Sequence, residues 1–388
     1  MSVQLSNQIA RDMERAACRI LQDTPFATPF TISEGSALQR QVQPLQEKNL
    51  SEYVTSCINS GNFTECKCVI LQLARWFAEF AQISIKKIGQ PIVFSDCSFA
   101  HFFLTDNDAL CRTEWAHWKF GEQADNEAAL LAQIDRLNLD HAVKQDLTDA
   151  VWTYFHTLTK WDMERVAEKS AQFSTRNEQL VEKIRNATAV IFVGGHASRM
   201  QYYPKYKVKI GRYTFLEYIQ YALDDLGLEH AALSVFPGQK IADCGLPQWE
   251  DEVADIGPIS GLQTALKHSA TELVFVIPCD MPTICADVIA FLLEQLEPAD
   301  SAVLPSVNGK INPLLGFYRT NQSDQLSQMV QNGCRRPWEF ARKISAKIVE
   351  LPPRLQTHVM SFNSMQELET QSETLKQILP PTAFLKFK

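Results

Sequence analysis

Gly194 and Gly195 directly follow an apolar run, Ala189 to Val193, and precede Arg199, Lys205, Lys207, Lys209 and Arg212. Glycines let the backbone turn sharply and approach a ligand, and free amides at a strand-to-loop turn can cradle phosphate oxygens. The five cations make a local positive field in a chain whose formal net charge is -8. That field suits a polyphosphate better than a nucleic acid, which the acidic remainder of the surface would repel. A second string, Pro278-Cys279-Asp280-Met281-Pro282, sets a carboxylate at the end of the run LVFVI. Asp280 could hold Mg²⁺ against phosphate oxygens, or it could cap the helix that follows. The third string, Asp255-Ile256-Gly257-Pro258-Ile259-Ser260-Gly261-Leu262, opens a helical pattern reaching His268. It fits a rigid ligand-facing turn or plain helix initiation.

Such residues act together only if elements bring them to one place. Apolar runs at Ala189 to Val193, Ala231 to Phe236 and Leu273 to Ile277 alternate with helical patterns at Thr214 to Leu226, Ile259 to His268 and Ala286 to Leu296. Strands alternating with helices predict an α/β domain with a parallel core, helices on both faces, and the ligand at the carboxyl ends of the strands. The glycine loop and Asp280 both follow strands at such ends. Cys279 reads as a strand-end packing residue.

The first half has a different character. Ser6 to Gln22, Cys66 to Lys87, Asn126 to Asn138 and Ala142 to Ser174 carry apolar residues at helical spacing. Thr24 to Gln43 reads as a loop, and Gly89 to Asp108 is apolar without a period. The expected fold class is therefore multidomain: an all-α domain over 1–176, a linker over 177–187, and a three-layer α/β domain over 188–388. At 388 residues, with 45% hydrophobic and 21% charged content, two domains are the natural expectation. The segment MSVQLSNQIARDMERAA has no apolar centre, no apolar run reaches the length of a membrane span, and the ten cysteines are scattered. A cytoplasmic protein with reduced thiols and no membrane partner is expected.

The strings GGHASRM, GPISGLQTAL and VIPCDMP, in that order, resemble the MobA-like molybdenum cofactor guanylyltransferases of the nucleotidyltransferase superfamily. Gly194, Gly195, Arg199, Met200 and Lys205 match that family's phosphate loop. Gly257, Pro258 and Gly261 match its turn, and Pro278, Cys279, Asp280 and Pro282 its strand exit. Asn312-Pro313-Leu314 is similar to its substrate-side strand, and Phe362-Asn363-Ser364 to its closing asparagine motif. The resemblance covers Thr188 to Glu369, about half the chain.

The resemblance implies transfer of GMP from Mg-GTP to molybdopterin-bound molybdenum, with release of pyrophosphate. It implies Gly194 and Gly195 at the nucleotide phosphates, with Gly257 and either Asp251 or Asp255 also on the nucleotide side. Arg199 and Lys205 would oppose the charge of the leaving pyrophosphate, and Asp280 and Asn363 would hold Mg²⁺. Gly261, Asn312 and Pro313 would face the cofactor substrate. Several positions depart from the family pattern: Gln201 replaces a glycine, Pro204 an acid, and Ser234 and Phe236 stand for asparagines, while Tyr202 and Tyr203 widen the loop. A non-catalytic maturation factor, binding nucleotide or cofactor and docking an apo-molybdoenzyme or other cofactor-synthesis proteins, is the alternative. In the first half, Gly89-Gln90-Pro91 and Arg112-Thr113-Glu114-Trp115 are faintly similar to truncated globins. That likeness would put Cys97 at the proximal haem position with His101 nearby. A TorD-like chaperone is a further thought for these helices, without a specific motif.

Overall fold

The computed structural model describes residues 8–21, 30–32, 38–40, 49–94, 97–104, 110–112, 118–122, 124–159, 178–193, 203–242, 244–253 and 256–384. The chain divides into two compact units, Ala10–Thr175 with Pro380–Lys388, and Arg176–Leu379 with Met1–Ile9.

The unit built on the first half is rich in helix. Its helices are Gln8–Leu21, which begins just before it, Leu50–Asn59, Phe63–Ile88, Ala124–Asp135 and His141–Thr159. The expectation of an all-α domain is corrected by three antiparallel ladders. β1 (Phe30–Ile32) pairs β2 (Leu38–Arg40), β3 (Ile92–Phe94) pairs β6 (Trp118–Phe120), and β4 (Phe102–Leu104) pairs β5 (Leu110–Arg112). Three-residue strands are too short to show a period of two, which is why Gly89 to Asp108 and Thr24 to Gln43 carried no strand signal. Asn126 fixes β3 from the side: its Nδ2 donates to the Ile92 carbonyl at 2.9 Å and its Oδ1 accepts from the Phe94 amide at 3.2 Å.

The 26-residue helix Phe63–Ile88 is, by length and composition, long and apolar enough to cross a membrane, which the sequence reading did not expect. In this fold 56% of the 18-residue window that meets this test is buried inside the protein. Its Trp76 stacks on Phe80 at 5.0 Å and meets Phe102 edge-on at 5.2 Å. Beside this cluster the buried Arg112 guanidinium lies 4.0 Å from the Phe94 ring centroid, where the ring face favours a cation.

The second unit is an α/β domain around an eight-stranded sheet. Along its main path the strands run β11 (Gln248–Glu250), β10 (His230–Val235), β7 (Ala187–Phe192), β12 (Leu273–Pro278), β15 (Gly316–Arg319), β13 (Ala302–Val307) and β14 (Lys310–Ile311). The remaining strand, β16 (Lys347–Glu350), pairs with β13. The first four are mutually parallel, and β15 enters antiparallel to β12. All six residues of β7 are buried, as a central parallel strand covered on both faces requires.

Alternation along the strands separates two apolar layers. Ala189, Ile191, Phe275 and Ile277 share a cluster with the helices Glu178–Arg185, Phe215–Leu226 and Ala286–Gln295. Val190, Phe192, Val274 and Val276 share another with Ile259–His268, Ser323–Gln331 and Pro337–Lys343. The three layers expected of the second half are thus present, with helices on both faces of the sheet.

Within the first-half unit, Glu127 is 0% exposed, and no other described residue offers a hydrogen-bond partner to its carboxylate oxygens. Burial, chiefly, pushes its carboxyl well above the usual range, so the folded unit keeps the proton. Because the folded value is raised, stability is full below the ordinary Glu value and is lost as pH rises toward the folded one. Glu127→Gln, which cannot ionise, should therefore gain in melting temperature relative to the parent as pH rises above the ordinary Glu range. Paired thermal melts check this, and parallel pH profiles for the two proteins would contradict it.

Candidate active site

The register of β7 and β12 sets the geometry. Phe192 stands opposite Pro278, and the Cys279 amide donates to the Phe192 carbonyl at 3.0 Å, so the two strands leave the sheet side by side. Asp280 lies in the turn immediately beyond β12. Cys279 packs inward, and burial drives its thiol up to about 12, which keeps it neutral and unreactive, as its packing role requires.

Lys205 arrives from the loop after β7. Pro204 precedes a 3₁₀ turn, Lys205–Lys207, whose Tyr206 is buried. A short hairpin follows, β8 (Lys209–Ile210) with β9 (Tyr213–Thr214), and Tyr218 of the next helix ties it down by donating to the Ile210 carbonyl at 2.6 Å. That helix, Phe215–Leu226, begins with a reciprocal capping box between Thr214 and Glu217. Its first residue donates its amide to the Val208 carbonyl at 2.9 Å, so the helix start and the Lys205 turn are one braced piece.

The third contribution comes from far down the chain. The segment before the helix Met365–Thr370 lies along residues 280–283: the Phe362 amide donates to the Asp280 carbonyl at 2.9 Å, Thr283 Oγ1 to the Met360 carbonyl at 3.5 Å, and His358 Nδ1 lies 3.2 Å from the Thr283 carbonyl. Phe362 is buried and packs near Phe215 with ring centroids 6.2 Å apart. Asn363 is held on the helix side as well, its amide donating to Glu367 at 2.6 Å.

These braces bring three polar groups together. Lys205 Nζ donates to Asp280 Oδ2 at 2.7 Å and to Asn363 Oδ1 at 2.7 Å. The lysine and aspartate side chains are 23% and 18% exposed, so the pair is only partly screened by water. One carboxylate and one amide oxygen converging on a cation is a donor set that also fits Mg²⁺, which takes few protein oxygens and completes its shell with phosphate and water. The sequence reading placed Asp280 and Asn363 at a metal and Lys205 at the leaving pyrophosphate; the structure brings the three side chains into contact. Its other loop residues, Gly194, Gly195 and Arg199, and Asp255 of the turn, lie outside the described residues.

Asp251 stands at the same carboxyl edge, two strands away. It follows β11, its amide donates to the Val235 carbonyl at 2.9 Å, and its Oδ1 accepts from Ser234 Oγ at 2.7 Å. Burial raises the Asp251 carboxyl above its ordinary value, and the Ser234 hydrogen bond opposes that rise. Ser234, read from sequence only as a departure, is thus the orienting partner of Asp251. Gly257 has φ +79°, a left-handed conformation that favours glycine, and its carbonyl accepts from Ser260 as the helix begins.

Gly261 sits inside that helix against the sheet: a Cβ there would stand 2.8 Å from Ser234 Oγ and 3.3 Å from the Phe192 ring. Its role in the structure is close packing of helix on strand. Asn312 accepts from the Leu314 amide at 3.1 Å and donates to Met281 Sδ at 3.5 Å, next to the strand exit. The Pro313 carbonyl accepts from Tyr318 at 2.7 Å. Of the residues that position Asn363, Phe362 entered the sequence reading only as a member of the asparagine motif, and Thr283 was not singled out. The apolar residue directly before the asparagine was the available signal for Phe362. In the other unit, Cys97 is buried with Sγ 3.9 Å from Asn126 Oδ1.

Residues 189–347 match the MobA-like NTP transferase domain. A curated relative named molybdenum cofactor guanylyltransferase, from Serratia proteamaculans, is 30% identical over 167 residues, which is 41% of this chain and 83% of that protein. A probable molybdenum cofactor guanylyltransferase from Carboxydothermus hydrogenoformans is 28% identical over 203 residues, 52% of this chain and 95% of that protein. Among solved structures, molybdopterin-guanine dinucleotide biosynthesis protein A from Archaeoglobus fulgidus is 19% identical with a TM-score of 0.41, covering 49% of this chain and 98% of that one.

The packing at Gly261 yields a specific expectation. Gly261→Ala should cost about 1–3 kcal/mol through overpacking, and should disturb the Ser234 to Asp251 bond. Chemical denaturation measures the cost, and a variant as stable as the parent would show that the helix can withdraw freely from the sheet.

Proposed function

We propose, for a chain that belongs to the MobA-like NTP transferase family, that its second unit is a molybdenum cofactor guanylyltransferase, moving GMP from GTP to the terminal phosphate of molybdenum-bearing molybdopterin. The observation that carries this reading is the meeting of Lys205, Asp280 and Asn363 at the carboxyl end of parallel strands. The names of the curated relatives supply the substrates.

The reaction has a simple balance. An oxygen of the terminal phosphate of molybdopterin attacks the α-phosphorus of GTP, the α–β bridging P–O bond breaks, and pyrophosphate leaves with the electron pair. A phosphate monoester oxygen at neutral pH needs little deprotonation, so no side-chain nucleophile is required and catalysis reduces to positioning and charge stabilisation. Bound Mg²⁺ would supply electrostatic polarisation of the α-phosphate. Asp280 Oδ2 and Asn363 Oδ1 would hold that cation.

Lys205 would oppose the negative charge gathering on the leaving pyrophosphate. Arg199 and the amides of Gly194 and Gly195 would share that task from the same loop. Asp251, oriented by Ser234, would accept a hydrogen bond from the nucleotide on the far side of the β7 exit. The first unit is then free to dock an acceptor protein such as an apo-molybdoenzyme.

With radiolabelled GTP, Mg²⁺ and molybdopterin, purified protein should form labelled dinucleotide and pyrophosphate, and Asp280→Asn should lower turnover by at least about 100-fold with little change in folding. Tight cofactor binding without transfer would instead identify a maturation factor. GTP with Mg²⁺ should raise the melting temperature more than CTP does, because a ligand bound only to the native state stabilises it. Greater protection by CTP would overturn the choice of base.

A further inference from the structure

The ammonium of Lys205 occupies the point where the Asp280 carboxylate and the Asn363 amide oxygen converge, 2.7 Å from each. Each of the three groups is braced by its own segment. Lys205 is fixed by its 3₁₀ turn, Asp280 by the strand exit, and Asn363 by Phe362 and Glu367. A divalent cation that uses the same oxygens competes directly with the ammonium for their lone pairs and for the negative charge of Asp280.

Accepting the reading of this cluster as the nucleotide centre, we propose that Lys205 is an internal place-holding cation, which Mg²⁺ must displace before the centre can work. While no metal is bound, the ammonium neutralises Asp280 and satisfies Asn363, sparing a partly buried carboxylate from standing unpaired. When metal and nucleotide arrive together, the dication takes the two oxygens and the freed ammonium turns to the triphosphate. Charge stays balanced through this exchange, because the incoming phosphates replace the carboxylate as the partner of Lys205.

Two consequences follow from competition for the same oxygens. Metal alone binds weakly, because it must evict a well-placed ammonium. Metal and nucleotide bind cooperatively, because each removes an obstacle to the other, and linkage makes the coupling reciprocal.

Manganese provides the probe, since its free ion can be counted by electron paramagnetic resonance during titration of the full chain. Without nucleotide, Lys205→Met should bind Mn²⁺ about tenfold more tightly than the parent, the order of magnitude of one partly buried ion pair. Lys205→Arg, which keeps a competing cation, should stay close to the parent and serves as the control for folding and for loss of charge. Adding Asp280→Asn to Lys205→Met should abolish the gain. The parent should gain Mn²⁺ affinity on addition of GTP, and Lys205→Met should gain less. Equal or weaker Mn²⁺ binding by Lys205→Met than by the parent, with GTP still enhancing binding to the parent, overturns the place-holder and leaves the transferase reading intact. Absence of Mn²⁺ binding to the parent even with GTP removes both.

Discussion

One ammonium shared between a carboxylate and an amide oxygen is the contact on which the account of the second unit depends. Lys205 reaches Asp280 across 75 residues of sequence and Asn363 across 158, so three distant segments must be placed correctly before a single hydrogen bond forms. The parallel pairing of β7 with β12 does most of this, since it brings two strand exits side by side at Phe192 and Pro278. The hydrogen bond from Phe362 to the Asp280 carbonyl completes it by laying the last segment along the exit of β12. Partial burial then makes the interaction worth more than an exposed ion pair, because water and salt screen it less.

The same edge of the sheet carries a second polar pair of a different kind. Asp251 and Ser234 stand where burial raises the carboxyl, while Gly261 lets a helix press close enough to leave no room for a side chain between them. Between the two pairs lies the exit of β7, where the chain departs toward the glycine loop. The carboxyl edge thus carries a carboxylate and an amide oxygen on a shared ammonium on one side, and a partly buried, hydrogen-bonded carboxyl on the other.

Much of this was legible in the residues. Apolar runs of five or six residues, each followed by a glycine or a proline, identified the central strands, and the ordered motifs pointed to Lys205 and Asp280, with the closing asparagine motif pointing to Asn363. Phe362, by contrast, works through packing on Phe215, a relation between residues that no local pattern announces. Gly261 has a motif-like position, yet what it does depends on the distance to Ser234, which only the helix-on-sheet approach defines. The first half resisted for a different reason. Its ladders are three residues long, and the fully buried Asn126 that holds β3 sits in a helix whose spacing says nothing of a strand partner.

The central claim is that Asp280 and Asn363 form the cation centre of a nucleotide site. Crystals of the full chain grown with Mn²⁺ and a non-hydrolysable GTP analogue, measured at the manganese absorption edge, test it most directly. The account predicts an anomalous peak within coordination distance of Asp280 Oδ and Asn363 Oδ1, with the Lys205 ammonium turned to the phosphates. A peak held by other residues, or Lys205 still bridging the same two oxygens with nucleotide bound, would contradict it.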